Sequence, residues 1–535
     1  MPARTGKDYT AALKRKSQGM TVYLHGKRVA DVTAEPLFQG PLQAVAELYD
    51  MQHDPAYREI MTYTSPTTGD PVSTSYMVPR SPEDVTKMRK AFKLRADQNF
   101  GFMGRQPDFM NSVVTGWAIN KNAFGTRGQR FADNAQRYYE YCRENDIFLT
   151  HVLITPQVDR SKTSSDQEDP FIHLGRAGAN DQGIVVRGAK MVGTFAPLTE
   201  EILVLPFGGV AVGDSAYAVT FSIPTDAPGL KFICRETVAP LPRSRFDHPL
   251  SSRFEEMDCL AIFDDVLVPW DRVMVDGGPG SEQVINAALR ANPLTGLQTA
   301  SRMLAEMEFM TGLAIRLAES VGIDGFLHVQ EKLGEMISML EVGRSVYYGS
   351  EAMAVPGPDG MYVPGGFGLR AFHLQTMRIY RRMVEITQIL AAGGFFSVPT
   401  EADMNNPEER AYIDKFLRGK PGVSAEERVR LLKLAWDATS ESFAQRMVQY
   451  VTYYSGDPVR LTAATYLGYN KQPLFDIVDR AMGLKDPKDI PVSKAPWEEG
   501  AAPAIATGPN PRLAYTYPAA THARQHDRHP PTNAG

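Results

Sequence analysis

Apolar residues recur along this chain at two different periods, and the period switches twice. Ser81-Pro-Glu-Asp84 is a helix start, with Ser81 as N-cap, Pro82 in the first turn and acids behind it. The helix it opens should run toward Gly101. A second helix is predicted over 131–145, where Tyr138, Tyr139 and Cys142 fall on one face at helical spacing. From Ile147 the texture changes to short β-branched runs broken by turns, at 148–154, 183–187, 201–205, 217–221 and 261–268. These read as antiparallel strands. After Pro269 the helical period returns, with Met303, Met307, Met310, Leu313 and Leu317 at steps of three and four, and further periodic stretches cover 333–346, 374–390 and 428–450.

All-α, all-β and all-α blocks in succession predict an α+β fold and not alternating βαβ units. The expected division is a helical N-terminal domain at 1–146, a β-domain at 147–275 and a helical bundle at 276–500. Pro, Ala, Gly and His accumulate over 501–535, which is expected to be a disordered tail. A chain of 535 residues exceeds the size at which one core keeps growing, so a large internal pocket between domains is feasible. No G-x-G-x-x-G follows a strand and opens a helix, so a dinucleotide site of that kind has no support. The pairs Gly208-Gly209 and Gly393-Gly394 read as turns or as places where backbone approaches a ligand closely.

Composition narrows the function classes. Apolar residues at 43% and charged residues at 22% are ordinary for a globular protein, and the mean hydropathy is -0.27. No apolar run approaches the roughly 20 residues that cross a bilayer, and the charged start lacks the apolar core of a secretory signal. A cytoplasmic location, with no membrane partner, is the expectation. Cys142, Cys234 and Cys259 are odd in number and far apart, which predicts plain thiols and neither a disulfide framework nor a metal clamp. A metal is not expected. Net charge of -5 and pI near 6.1 lack the basic footprint of a nucleic-acid binder. Small-molecule chemistry moves forward.

Five blocks carry that chemistry: Arg4-Thr-Gly-Lys-Asp-Tyr9, Gly101-Phe-Met-Gly-Arg-Gln-Pro-Asp-Phe109, His151-Val-Leu-Ile-Thr-Pro-Gln-Val-Asp-Arg160, Pro249-Leu-Ser-Ser-Arg-Phe254 and Tyr453-Tyr-Ser-Gly456. In this order, over about residues 4–480, they resemble the large oxygenase component of the 4-hydroxyphenylacetate 3-hydroxylase family of two-component flavin-dependent monooxygenases. The resemblance implies an acyl-CoA-dehydrogenase-like fold: a helical N-terminal domain, an antiparallel β-barrel-like middle and a C-terminal four-helix bundle that builds a homodimer or homotetramer. It implies FAD, received as FADH2 from a separate NAD(P)H-dependent flavin reductase and reacted with O2. A C4a-hydroperoxyflavin would then hydroxylate a phenolic or related aromatic ring at the ortho position.

Carried over residue by residue, the resemblance makes Arg105 and His151 the groups that pin the phenolic oxygen. A cation beside the hydroxyl favours the phenolate and so enriches the ring; the imidazole can accept from or donate to the same oxygen. Pro206, Phe207 and Phe109 complete the implied substrate contacts. The family's pattern usually places Tyr where this chain has Phe109, and a lost buried hydroxyl changes which ring is held best. Gln157, Val158, Asp159 and Arg160 match the segment that meets the isoalloxazine, Thr194 a hydroxyl that bonds its heteroatoms, and Tyr453, Tyr454, Ser455 and Gly456 a C-terminal stretch near the flavin. Arg253 is a candidate for the FAD phosphates, or for an ion pair with Glu255 or Asp258. Read without the resemblance, Arg105 would pair with Asp108, His151 would be a hydrogen-bonded strand histidine, 157–160 a turn, 453–456 a helix end, and Asp264 and Asp265 solvated turn charges.

Three rivals make different demands. A 4-hydroxybutyryl-CoA dehydratase needs an iron-sulfur cluster and several thiolates, whereas this chain has three cysteines and none at 104–109. An acyl-CoA dehydrogenase or nitroalkane-type oxidase would use a carboxylate base and would lack the Arg105 and Gln157 blocks. A helical scaffold would keep the methionine stripes as core and bind no flavin. Some dehalogenating relatives in the family it resembles place a histidine in the loop before the first long C-terminal helix; the matching stretch, Asn292-Pro-Leu-Thr-Gly296, has none, and the resemblance therefore implies ortho hydroxylation without expulsion of a substituent.

Overall fold

The Ser81 cap forms as its sequence dictates: in a computed structural model its side chain accepts from the amide of Asp84, and the helix runs over Pro82–Gln98. The structure describes residues 3–488 apart from 208–209, 240–243, 289–292, 358–359, 455 and 487. At Gly101 the chain turns with φ of 79°. A side chain here would meet the carbonyl of Arg302 at 2.6 Å and the Glu306 side chain at 2.7 Å, so glycine permits the turn and the close approach together. That approach sets residues 102–106 against the long helix Pro293–Val321. Pro107, in the first turn, then opens a helix over Pro107–Ile119. After the short helix Lys121–Gly125, the helix Gln129–Asn145 buries Tyr138, Tyr139 and Cys142 as their spacing predicts.

The β-region corrects two expectations. Among the described residues its strands form two open sheets and no closed barrel. One is six-stranded, in the order Lys27–Arg28, Val22–Leu24, Leu230–Cys234, Cys259–Pro269, Gly183–Lys190, Gly175–Ala179. The other is four-stranded, in the order Val273–Asp276, Val219–Pro224, Glu201–Val204, Leu149–Val152. Nor is it purely antiparallel: Leu149–Val152 runs parallel to Glu201–Val204, with His151 opposite Leu203. The chain between these strands leaves to build part of the other sheet, and such a crossover lets it return in the same direction. Tyr217 lies in a 3-10 turn, and its strand begins at Val219. Asp265, at φ 50°, sits where the register shifts between Phe263 and Val266. It pairs with Arg187 at 2.6 Å and Asp264 with Lys231 at 2.8 Å, on the surface.

The helical half is built on Pro293–Val321, Leu327–Ala352 and Gly366–Ala391, which pack on one another. Met303, Met307, Met310, Leu313 and Leu317 are all buried. The stretch 293–296, expected as loop, is the first turn of the Pro293 helix, as a proline at the start of a helix allows. The periodic stretch 428–450 is two helices, Ala425–Thr439 and Ser442–Tyr453. The break follows from hydrogen bonding: the amides of Ser440 and Glu441 both close on the carbonyl of Trp436, at 2.8 and 3.3 Å. Gly393-Gly394 lies in a 3-10 segment, Ala392–Ser397, whereas Gly208-Gly209 and 501–535 fall outside the described residues.

Candidate active site

Arg105 is buried, just before the Pro107 helix, and every contact around it fixes its guanidinium. Its amide donates to Glu256 Oε1 at 2.6 Å, and its Nη2 to the carbonyl of Tyr454 at 3.0 Å. Its Cζ lies 4.2 Å from the centre of the Phe109 ring and 4.3 Å from that of Tyr454. The expected alternative, an ion pair with Asp108, does not form, because Asp108 faces the other way and accepts from Gln106 and Gln298 at 3.1 and 3.0 Å. Burial raises the Asp108 carboxyl to about 6.

His151 comes to the same place from the sheet. Its ring is 5.8 Å from Phe109, so the phenylalanine touches both candidate groups. Burial, and then the charge on Arg105, hold its pKa well below the ordinary histidine value, so the imidazole is neutral. Its Nδ1 is buried with no hydrogen-bond partner, and so is Arg105 Nε. A buried polar atom left unpaired costs stability, so this nitrogen is one that the strand-histidine reading does not account for.

The residues assigned to flavin divide into two groups. Gly456, at φ 116°, has no room for a side chain because the ring of Phe207 and the Arg460 guanidinium fill that space. Arg460 in turn lies 4.4 Å over the Phe207 ring. A residue implied in substrate contact and one implied in flavin contact thus meet, with Pro206 buried beside them. Tyr454 is buried and donates to the carbonyl of Gly104 at 2.9 Å, whereas Tyr453 is half exposed and Ser455 lies outside the described residues. Thr194 is buried and donates to Asp258 Oδ1 at 2.7 Å, which leaves its oxygen as an acceptor for a ligand N–H. Asp258 also receives Arg446 and Arg235, which hold its carboxyl down to about 2 against the effect of burial. Gln157, Val158 and Arg160 point to solvent, and Asp159 turns into its own loop to accept from Ser161. The structure does not bring these four against Arg105. Arg253 forms neither expected ion pair and stacks on Phe254 at 4.4 Å, since Glu255 and Asp258 are both taken by Arg235.

A polar layer that sequence reading missed lies behind Tyr454. Arg302 is fully buried, its Cζ 4.8 Å from the Tyr454 ring centre, and it donates to the carbonyl of Gly101 at 2.9 Å and to Glu306 at 3.2 Å. The Tyr454 ring is therefore in contact with two guanidiniums. His373 packs on Tyr454, and burial followed by the charges of Arg302 and Arg105 depress it to about 4. Buried polar atoms of Arg302, Glu306, His373, Tyr380 and Tyr450 have no partner. The sequence does carry a signal: Gln298, Arg302 and Glu306 share the helical phase of Met310, Leu313 and Leu317, so polar residues continue a buried stripe. Cys234 and Cys259, far apart in sequence, are cross-strand partners with sulfurs 3.5 Å apart.

Comparison with known proteins matches residues 5–275 to the family described as 4-hydroxyphenylacetate 3-hydroxylase N terminal and residues 287–483 to its C terminal counterpart. The 4-hydroxyphenylacetate 3-monooxygenase oxygenase component of Thermus thermophilus is 41% identical over 471 residues, covering 88% of this chain and 95% of its own. A crystal structure of the oxygenase component of 4-hydroxyphenylacetate 3-monooxygenase complexed with FAD and 4-hydroxyphenylacetate aligns with a TM-score of 0.85 at 40% identity, covering 90% of this chain and 98% of that one. An archaeal 4-hydroxybutyryl-CoA dehydratase from N. maritimus shares the fold at a TM-score of 0.80 and 20% identity, covering 93% of this chain and 98% of that one.

Proposed function

The chain belongs to the 4-hydroxyphenylacetate 3-hydroxylase family, and we propose that its Arg105–His151 chamber binds the phenolic oxygen of a small aromatic substrate for ortho hydroxylation. The protein is the oxygenase component of a two-component, flavin-dependent aromatic monooxygenase. The observation that carries the chamber assignment is the pair of orphaned buried nitrogens, His151 Nδ1 and Arg105 Nε, on either side of Phe109.

The residues present also fit a flavin. Thr194 offers an acceptor, Gly456 and Phe207 meet at a junction too tight for a side chain, and 157–160 form an exposed loop that continues from the His151 strand. These residues, with Tyr453 and Tyr454, would hold FAD, which when bound in reduced form supplies the oxygen-activating chemistry. The chain's own residues do the rest. Arg105 stabilises the phenolate, and its charge acts strongly because the guanidinium is buried among aromatic rings. His151, held neutral, can accept a hydrogen bond from the phenolic hydroxyl at Nδ1. Phe109 closes the chamber with an apolar ring and offers the substrate no hydroxyl, which favours a smaller or less polar phenol over 4-hydroxyphenylacetate.

The reading includes a separate NAD(P)H-dependent reductase, a cytoplasmic location, an acyl-CoA-dehydrogenase-like arrangement with its four-helix bundle, the domain division at 146 and 275, and a homodimer or homotetramer. No described helix is long and apolar enough to cross a membrane. Assembly is supported by the helix Gln472–Ala481, whose Leu474, Phe475, Ile477 and Val478 are each at least 50% exposed in a single chain. The dehydratase likeness extends to fold alone: three cysteines, none at 104–109, do not supply a cluster. Substrate choice is tested by Phe109→Tyr: affinity for 4-hydroxyphenylacetate relative to phenol, measured by calorimetry, is expected to rise about tenfold, the worth of one buried hydrogen bond. Unchanged relative affinity would remove Phe109 as the discriminating residue.

A further inference from the structure

Away from the chamber, three side chains that bind metals in many proteins converge from three segments. His248 precedes the short helix Ser251–Phe254, Asp437 lies near the end of Ala425–Thr439, and Glu441 caps Ser442–Tyr453. His248 Nδ1 is 3.1 Å from Glu441 Oε2, and one ligand atom from each of the three residues lies within 4.8 Å of the others. Metal–ligand bonds of about 2.0–2.2 Å place neighbouring ligand atoms about 3–4 Å apart, so only small side-chain adjustments are required.

What separates this cluster from an ordinary ion pair is how the carboxylates are held. Glu441 spends Oε1 on the indole N–H of Trp436 at 3.1 Å, which aims Oε2 at the histidine. Asp437 spends Oδ2 on the amides of Leu250 and Ser251, at 2.7 and 2.9 Å, and its Oδ1 is buried with no partner in a residue that is 0% exposed. One oxygen of each acid is fixed by an N–H donor, the arrangement by which outer partners orient metal ligands; Glu441 Oε2 meets the histidine, and Asp437 Oδ1 keeps its lone pairs unpaired. Nearby charge does not satisfy it, since Lys433 is already paired with Asp247 at 3.1 Å. Two carboxylates and one imidazole therefore share a half-buried site in which His248 is the partner of Glu441 and Asp437 Oδ1 has none among the described residues.

We propose that His248, Asp437 and Glu441 form a divalent-metal site of the zinc class, with one nitrogen and two oxygen ligands and at least one position left to water. The choice of ion follows from the donors: imidazole with carboxylates suits Zn2+, Co2+ or Mn2+, and the absence of thiolates disfavours softer ions. The ion would staple the Pro249–Phe254 segment to two C-terminal helices, one of which ends in Tyr450 and Tyr454 beside Arg105. Its role is structural, distinct from the aromatic hydroxylation.

The test uses the full chain, stripped with chelator and titrated with CoCl2 and ZnCl2. One Co2+ per chain is expected, with d–d absorption of a nitrogen–oxygen site, displaced by Zn2+, and bound at least tenfold more weakly in Glu441→Gln and in His248→Gln. Zn2+ should also protect His248 of the unmodified chain from diethylpyrocarbonate, read by peptide mass, a measurement that needs no variant to fold. No stoichiometric Co2+ binding, equal binding in folded variants, or modification of His248 at the same rate with and without Zn2+ would each overturn the site and leave a hydrogen-bonded triad.

Discussion

The chemistry assigned to Arg105 rests on a guanidinium set between two aromatic rings and bonded to the Tyr454 carbonyl, on a backbone whose amide donates to Glu256. Glu256 spends its second oxygen on Arg446, so the anchor is itself anchored. A preorganised charge of this kind stabilises a developing phenolate without reorganisation, and removing one such donor costs about 10²-fold in turnover. Arg105→Gln is therefore expected to slow hydroxylation by about that factor while FADH2 is still consumed by O2, with hydrogen peroxide replacing product. Equal loss of flavin binding and of hydroxylation, measured by titration with FADH2 and by product yield, would move Arg105 from the substrate to the flavin. His373 allows a separate check. Its pKa is depressed to about 4 in the folded chain, against an ordinary value near 6.5. The unfolded chain thus binds a proton as pH falls through 6.5 while the folded chain does not, so stability present above pH 6.5 is lost progressively toward pH 4. His373→Gln should show a smaller drop in Tm between pH 7 and 5 than the parent chain; an identical drop would mean that His373 titrates normally.

At the scale of elements, the parts that local rules govern were legible. Ser81 with Pro82 fixed one helix start, and the 3.6-residue stripe of Met303 to Leu317 fixed a buried helix face. Long-range pairing was not legible, because strand direction depends on where the chain goes between strands: the route from Val152 to Glu201 makes that pair parallel and leaves the sheets open. The candidate site shows the same division. Arg105, Phe109 and His151 are legible through the blocks they sit in, and the structure gathers all three. Arg302, Glu306 and His373 were hidden inside helical stripes read as apolar, and only the fold brings them behind Tyr454. Gly456 joins the C-terminal helical region to the Phe207 strand end at a positive φ. Gly456→Ala is expected to destabilise the chain by about 1–3 kcal/mol from backbone strain, read as a lower Tm, and to weaken FADH2 binding as well. Parent-like stability would show that the backbone at Gly456 can relax without that contact.

At the scale of the whole molecule, the site draws on three supports. The turn into the Pro107 helix brings Arg105 and the helix itself Phe109, a sheet brings His151, and the C-terminal helices bring Tyr450 and Tyr454, so these residues meet only when all three parts are folded together. Such a chamber buries its polar atoms and excludes water, which is what a reaction prone to peroxide loss requires. The central claim is that this chamber couples oxygen activation to hydroxylation of a phenol. The direct measurement mixes the purified chain anaerobically with FADH2, adds oxygenated buffer, and follows product and hydrogen peroxide across a panel of phenols with no reductase present. Hydroxylated product is expected in near-stoichiometric yield from FADH2 for at least one small phenol, and predominantly peroxide for Arg105→Gln. If FADH2 is oxidised by O2 as it is free in solution, with peroxide and no hydroxylated ring for any phenol, the account is contradicted.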